Sequence, residues 1–528
     1  MQIQKCAKRP LKTTGALRWD EYDNSEFYHR GERPWRRGWN AFTYDYRRWK
    51  RRFVEAQEDA FQRRSFVAHM KRGTMTHELL PAQAEIVIIG GGIVGSSLAW
   101  WVKQRFRDED YHVVVLESDD TFTKSSTVLS AGGIRQQFSI PENVEMSLFA
   151  AEFMRNAGEH LRILDNPPPD IHLDPMGYLF LAKTEQGAQR MEKNWRMQTQ
   201  LGAKVGLYNR EQLQQRFPFM RFGDVQLGSY GLENEGAIDP WQLLSAIREK
   251  NLTLGVQYVK GRVDGFFYRT RDGATETTTP DDRAYRDPKP SFHLHGVDRR
   301  QIKGVSFIPE HTDSSPRAIK SALVVNCAGA WAGDIAKMAD IGTAGIKGML
   351  AVPLPVEKRK RYIYVVHCPD GPGLHMPMLI DSSGVWCRRM DLGNTYICGK
   401  SPTPAEDALI DHSNLDVDYD YFQEHVWPHL AARIPAFEKL KMKSAWAGYY
   451  DYNTFDQNAI IGVHPAFVNF WHVCGFSGHG LQQALAATRG VMEKVCDDAY
   501  TSINLRKFDF NRILHKQPLL EDVPISCR

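Results

Sequence analysis

Residues 85–105 read "EIVIIGGGIVGSSLAWWVKQR". An apolar, β-branched run closes at Ile89, glycines follow at the G-x-G-x-x-G spacing, and a helical stretch comes after them. Gly90 serves the tight turn, Gly92 lets the backbone approach a pyrophosphate, and Gly95 lets helix and strand pack closely. The amides of Gly91, Ile93 and Val94 sit where a helix begins, so free N–H groups and the helix dipole favour phosphate. "YHVVVLES", residues 111–118, continues as a second strand and reaches Glu117, 22 residues beyond Gly95. A carboxylate there accepts from ribose hydroxyls and repels a 2′-phosphate, which disfavours NADP and leaves NAD and FAD open. Strand, turn, helix, strand and acid together predict an α/β, Rossmann-like unit holding an ADP moiety.

Further stretches decide between the two cofactors. "KSSTVLSAGGIRQQF" (124–138) follows the first nucleotide-binding unit, and "SALVVNCAGAW" (321–331) ends a strand at the small-residue turn Ala328-Gly329-Ala330, where a side chain would block a close cofactor. "AWAGYYDYNTFDQNAIIGVHP" (445–465) is rich in aromatics, and "NFWHVCGFSGHGLQQAL" (469–485) reads as a strand, a turn with Gly475, Gly478 and Gly480, and a helix. A second helix N-terminus suits the negative charge that reduced flavin carries at its pyrimidine end.

In this order the motifs resemble the FAD-dependent oxidoreductases of the D-amino-acid oxidase, glycine oxidase and sarcosine oxidase group. The resemblance covers roughly residues 82 to 500. It implies a Rossmann-like FAD domain assembled from N- and C-terminal segments, with an inserted, sheet-based α+β substrate domain. The expected division is an extension at 1–81, FAD-domain segments at 82–165, 233–345 and 443–500, substrate-domain segments at 166–232 and 346–442, and a tail at 501–528. Within this division the polar, Pro/Asp-rich residues 265–315 are expected as one long surface loop. To FAD the resemblance assigns Gly90 to Gly95, Glu117, Ser125, Ser126, Thr127, Gly132, Gly133, Ala328, Gly329 and the turn Gly475, Phe476, Ser477, Gly478, His479, Gly480 and Leu481.

Members of this group oxidise a C–N bond of an amine or amino acid, which calls for a cation to hold a carboxylate and a dry face over the flavin. Arg135, Arg361 beside Tyr362, and Arg388 in "VWCRRM" are the candidate cations, while Tyr449, with Tyr450 and Tyr452, is a candidate wall of the substrate face. His479 is the candidate contact at the flavin edge. Departures from the family pattern matter as much. A flavin-linking cysteine is expected near Gly448–Tyr449, yet no cysteine stands between Cys398 and Cys474, and residues 113–140 hold no histidine for the alternative linkage. Non-covalent FAD is the expectation. Gln482 stands where sarcosine oxidase-like members carry a lysine, and arginine replaces their oxygen-activating lysine near "WCRRM". Arginine stays protonated, so a dehydrogenase passing electrons to an acceptor is expected rather than a fast oxidase.

The chain has 528 residues and a net charge of +4, but the charge is uneven. Residues 1–80 carry 18 Lys/Arg against 10 Asp/Glu, leaving 49 against 53 for the rest. "MQIQKCAKRPLKTTGALRW" is basic and lacks an apolar secretory core, which reads as an organelle-import segment or a basic tail. Residues 19–53 interleave aromatics with arginines, and without a nucleic-acid module a wrapping or protein-contact role is expected over nucleic-acid binding. No run of about 18 apolar residues is present, so no transmembrane span is expected. Eight scattered cysteines without metal spacing suggest a reducing compartment and no metal site. The stretches at 132–149, 359–374, 426–438, 444–462 and 475–484 also resemble a mitochondrial branch of the group associated with assembly of respiratory complex I. That resemblance implies a matrix location, peripheral contact with the inner membrane, and complex I subunits or assembly intermediates as partners.

Overall fold

The computed structural model describes residues 80–107, 109, 111–269, 275–277, 292–294, 297–310 and 315–522. The import segment and the aromatic, arginine-rich stretch therefore lie outside the described residues, as do the last six residues of the tail. Two eight-stranded sheets organise the rest.

In the first sheet, Gln83–Ile89 runs parallel to Val113–Glu117 on one side and to Arg317–Asn326 on the other. Phe470–Cys474 extends the sheet in parallel beyond Arg317–Asn326, and Ile460–Val463 closes that edge antiparallel. Alternate residues of these strands face two separate cores. Ile86, Ile88, Val113, Val115, Val325 and Val473 point to one, and Val87, Ile89, Val114, Leu116 and Val324 to the other. Burial on both faces is why the strands read as unbroken apolar runs. The helices Ile93–Arg105, Pro141–Arg155, Pro240–Thr253 and Gly480–Asp497 cover the first core, and Ala332–Met338 lies over the second. The first and last of the four are locked together by Trp101, whose indole N–H donates to the Leu485 carbonyl at 2.9 Å.

The expected loop at 265–315 overlaps this sheet towards both of its ends. Gln257–Arg269 pairs parallel with Val113–Glu117 through its first residues, then antiparallel with Ile302–Pro309, which in turn pairs with Arg317–Asn326. Gly261, Asp264 and Gly265 interrupt the apolar pattern and hide the long strand from a periodicity reading.

The second sheet has the order Lys441–Asn453, Val356–His367, Thr395–Lys400, Val385–Arg389, Met378–Ile380, Tyr178–Ala182, Leu227–Gly231 and Val205–Asn209. Its neighbours are antiparallel except for Met378–Ile380 beside Tyr178–Ala182. Lys441–Asn453 belongs wholly to this sheet, so the sheet runs eleven residues past the expected boundary at 442. A short ribbon, Gly133–Ile134 with Gly236–Ala237, stands between the two sheets.

Candidate functional site

One cavity of about 850 Å³ runs from Glu117, Arg262 and Met338 at one end to Met378, Ile380 and Trp386 at the other. That is near the upper end of ligand pockets, roughly 300–1,000 Å³. At the first end, Gly90 has φ +102°, and a Cβ there would lie 2.4 Å from the Cys327 carbonyl oxygen. A Cβ on Gly95 would lie 1.9 Å from the Gly90 oxygen. Only glycine closes this turn against the neighbouring parallel strand. Glu117 accepts from the Gly91 N–H at 2.7 Å and from the Asp119 N–H at 3.0 Å, which holds its carboxylate at the cavity wall. Helix Ile93–Arg105 starts at Gly92 without a side-chain cap, and the Ile93 N–H is met by Thr127 Oγ1 at 3.1 Å. Ser125, Ser126 and Thr127 line the cavity beside Gly92, Ile93 and Val94, so hydroxyls and amides converge where a pyrophosphate would lie. Ala328 and Gly329 line the middle, and Gly329 has open space where a Cβ would stand.

The second glycine turn closes the other half. Gly475, Ser477 and Gly478 all have positive φ, and Ser477, Gly478, His479, Gly480 and Leu481 line the cavity. Asp451, on Lys441–Asn453, anchors this turn: its carboxylate accepts from the Phe476 N–H at 2.9 Å, and its carbonyl accepts from the Ser477 N–H at 3.2 Å. Burial pushes the Asp451 carboxyl up to about 6, against hydrogen bonds from the Phe476, Gly475 and Gly478 amides that favour its charge. His479 sits at the N-terminus of Gly480–Asp497, where its Nε2 lies 3.1 Å from an Arg135 terminal nitrogen. Arg135 can only donate, so the imidazole accepts at Nε2. Burial and the neighbouring Arg135 push this histidine down to about 3, leaving it neutral at physiological pH.

The candidate cations separate. Arg135 lines the cavity, lies over the rings of Phe138 and Phe180 at 4.6 and 5.1 Å, and forms no salt bridge among the described residues. Its Nε–H is buried without a partner among the described residues. Arg361 also lines the cavity, but it is bound by Asp407 at 2.5 Å and flanked by Tyr450 and Tyr452. Arg388 does not reach the cavity: its Nε and Nη2 both donate to the Ala131 carbonyl, at 3.0 and 2.7 Å. Arg389 is paired with Asp174. The expectation of a free cation from "VWCRRM" is thereby corrected, because both arginines are consumed in holding loops, while the preceding Trp386 faces the cavity. Tyr362 and Tyr449 line the cavity with Tyr450 and Tyr452, and Tyr449 meets Trp331 edge-on at 5.9 Å.

Of the other assigned glycines, Gly133 lines the cavity, while Gly91, Gly95, Gly132, Gly475 and the buried Phe476 stand behind the wall they shape. Gln482 lines the cavity, but both ends of its amide are engaged by protein partners. Its Oε1 accepts from the backbone N–H of Arg135 at 2.8 Å and its Nε2 donates to Ser147, so it fixes the backbone at Arg135.

Residues that the sequence reading passed over complete the chamber. Tyr178 lines it, with a hydroxyl that has no hydrogen-bond partner among the described residues and fills the space a Gly133 side chain would need, 1.9 Å from that Cβ position. Burial raises the Tyr178 hydroxyl well above the usual phenol range, so it stays a donor. Phe180, Ile363, Met378, Ile380 and Trp386 supply an apolar lining. Their sequence signal is no more than that of buried strand residues.

A sequence profile of the family described as "DAO: FAD dependent oxidoreductase" matches residues 85–493. The chain is 48% identical over 450 residues to FAD-dependent oxidoreductase domain-containing protein 1 of Xenopus laevis, covering 85% of this chain and 86% of that one. Among solved structures, L-proline dehydrogenase from P. horikoshii superposes with a TM-score of 0.65 at 24% identity, over 83% of this chain and 100% of that one. Glycine oxidase from Geobacillus kaustophilus does so with a TM-score of 0.61 at 17% identity, over 82% and 99%. These likenesses and the two glycine-lined ends of one cavity lead to a single conclusion: the chain belongs to the FAD dependent oxidoreductase family, and FAD is its cofactor.

Proposed function

We propose that the protein is a flavin-dependent dehydrogenase that removes a hydride from the carbon next to nitrogen in a small amine or amino acid, here one bearing a carboxylate. The observation that carries this reading is Arg135, a cavity-lining guanidinium that among the described residues has no acidic contact and a buried, unpartnered Nε–H, close to the hydroxyl of Tyr178. A guanidinium and a phenol hydroxyl facing one space suit a carboxylate, and each charge-assisted bond contributes about 1.5–3 kcal/mol. Bound FAD supplies the hydride acceptor at its ring. The chain's own residues orient and dry the site. Tyr449, Tyr450, Trp386 and Met378 shield the reacting carbon from water, and neutral His479 holds Arg135 without adding a competing charge. No side chain needs to act as a strong base, because an amine that binds uncharged loses hydride without one.

The engagement of Arg361, Arg388 and Arg389 by Asp407, Ala131 and Asp174 favours a second reading, in which the flavin stabilises the fold and the protein serves assembly of respiratory complex I in the mitochondrial matrix, through contact with its subunits or assembly intermediates. An anaerobic screen of small, N-methylated and cyclic amino acids for bleaching of the bound flavin separates the two. Bleaching by one of them, slowed roughly 100-fold in Arg135→Met with FAD retained, is the expected outcome. If no compound bleaches the flavin, or Arg135→Met is reduced as fast as the unaltered protein, the dehydrogenase reading fails.

A further inference from the structure

Behind Arg135 and Tyr178 stands a third residue that touches neither cavity nor solvent. Glu235 is 1% exposed and lies just before the ribbon strand Gly236–Ala237. That strand pairs antiparallel with Gly133–Ile134, with Ile134 opposite Gly236. Arg135 follows Ile134 and Glu235 precedes Gly236, so the two residues flank the same end of the ribbon. The Glu235 carboxylate accepts from the Gln136 N–H at 2.7 Å, from Gln137 Nε2 at 2.8 Å and from the Tyr178 N–H at 3.3 Å. One buried group thus ties the segment bearing Arg135 to the strand bearing Tyr178. Gln137 doubles the tie, donating also to the Tyr178 carbonyl at 3.1 Å and accepting from Ser229 at 2.6 Å.

The charged and titratable groups facing Glu235 are Arg135 at the same end of the ribbon and Tyr178 on the second sheet, with Arg388 acting on Tyr178 from beyond it. Burial pushes the Glu235 carboxyl up to about 7, against hydrogen bonds from Gln137, Gln136 and Tyr178 and the weaker pull of Arg135.

We propose that Glu235 is the positioning residue of the carboxylate-binding pair and that its negative charge competes with a ligand carboxylate for Arg135. The inference rests on the reading of Arg135 given above. Its sign follows from electrostatics: protonating Glu235 removes a like charge near the bound anion. Anion affinity therefore rises as pH falls through the titration of Glu235, and binding takes up a proton.

Benzoate is a suitable probe, added to the FAD-loaded protein and followed through the change in flavin absorbance. It stays ionised throughout the range used, from about pH 6 to about pH 8.5. The unaltered protein is expected to bind benzoate roughly tenfold tighter at the lower pH. Glu235→Gln keeps an oxygen for the Gln136 N–H but carries no charge, so its affinity should be flat with pH, near the tight limit. Glu235→Ala cuts the tie and should bind benzoate weakly at every pH while keeping its FAD. Asp451, whose carboxyl lies at about 6, is present in all of these proteins. A pH dependence that survives Glu235→Gln therefore belongs elsewhere and overturns the proposal, as does a flat profile in the unaltered protein. If Arg135→Met loses benzoate while Glu235→Gln keeps the slope, the Glu235 inference alone falls. If Arg135→Met binds benzoate as tightly as the unaltered protein, the underlying reading falls with it.

Discussion

The two glycine turns close opposite halves of one cavity by different means. In the first, the atoms that exclude a side chain are backbone: the Cys327 carbonyl faces Gly90, and the Gly90 carbonyl faces Gly95. In the second they are side chains from the other sheet: the Tyr450 ring lies 2.6 Å from a Cβ on Gly478, and Val356 and Asn453 lie 3.1 and 3.3 Å from one on Gly475. Its anchor, Asp451, also comes from that sheet. The first turn is thus a property of one strand–helix unit, and the second a property of how two sheets meet.

Gly90→Val attacks the backbone-limited turn and should have the largest effect. It combines a φ of +102° with overlap on a carbonyl that cannot move aside, a loss of roughly 3 kcal/mol or more. FAD content and thermal unfolding are expected to fall together. Asp451→Asn probes the anchor of the second turn. The folded carboxyl sits at about 6 against 3.8 for an unperturbed aspartate, so between these limits the folded chain holds the extra proton. Its stabilising contribution is complete below the lower value and is lost as pH rises through the upper one, on the order of 1–3 kcal/mol. Unfolding measured from about pH 4 to about pH 7 should lose that slope in the variant. Gly478→Ala should be mildest, costing about 1–2 kcal/mol for the left-handed backbone while the Tyr450 ring swings away. FAD is expected to stay bound with an altered flavin spectrum. Loss of FAD as complete as in Gly90→Val would erase the distinction between the two turns.

The same contrast explains what was legible in the sequence. Gly90, Gly92, Gly95 and Glu117 are spaced by local geometry and could be read directly, and the second turn was recognisable as a second helix start. The role of each arginine was not legible. Asp407 lies 46 residues beyond Arg361, and the Ala131 carbonyl 257 residues before Arg388, and only tertiary pairing brings them together. Tyr178 sits in "YLFLA", whose five residues are all buried, so nothing in its pattern separates a cavity wall from a core. Glu235 was hidden for the opposite reason: a carboxylate beside a glycine reads as a surface turn, and its burial depends on donors from segments about 57 and 99 residues away. The expected FAD-domain segment at 443–500 begins inside the strand Lys441–Asn453, which pairs in the second sheet and leads without a break towards the second turn.

The first sheet also carries a lesson about the order of synthesis. Arg317–Asn326 pairs with Phe470–Cys474, and helix Ile93–Arg105 packs on Gly480–Asp497, so an early-made segment waits for one made much later. Until some 380 residues have followed Trp101 out of the ribosome, an apolar strand edge and a helix face stay open to other partners. A ligand that binds only the assembled first sheet then stabilises the chain late, once these distant segments have met.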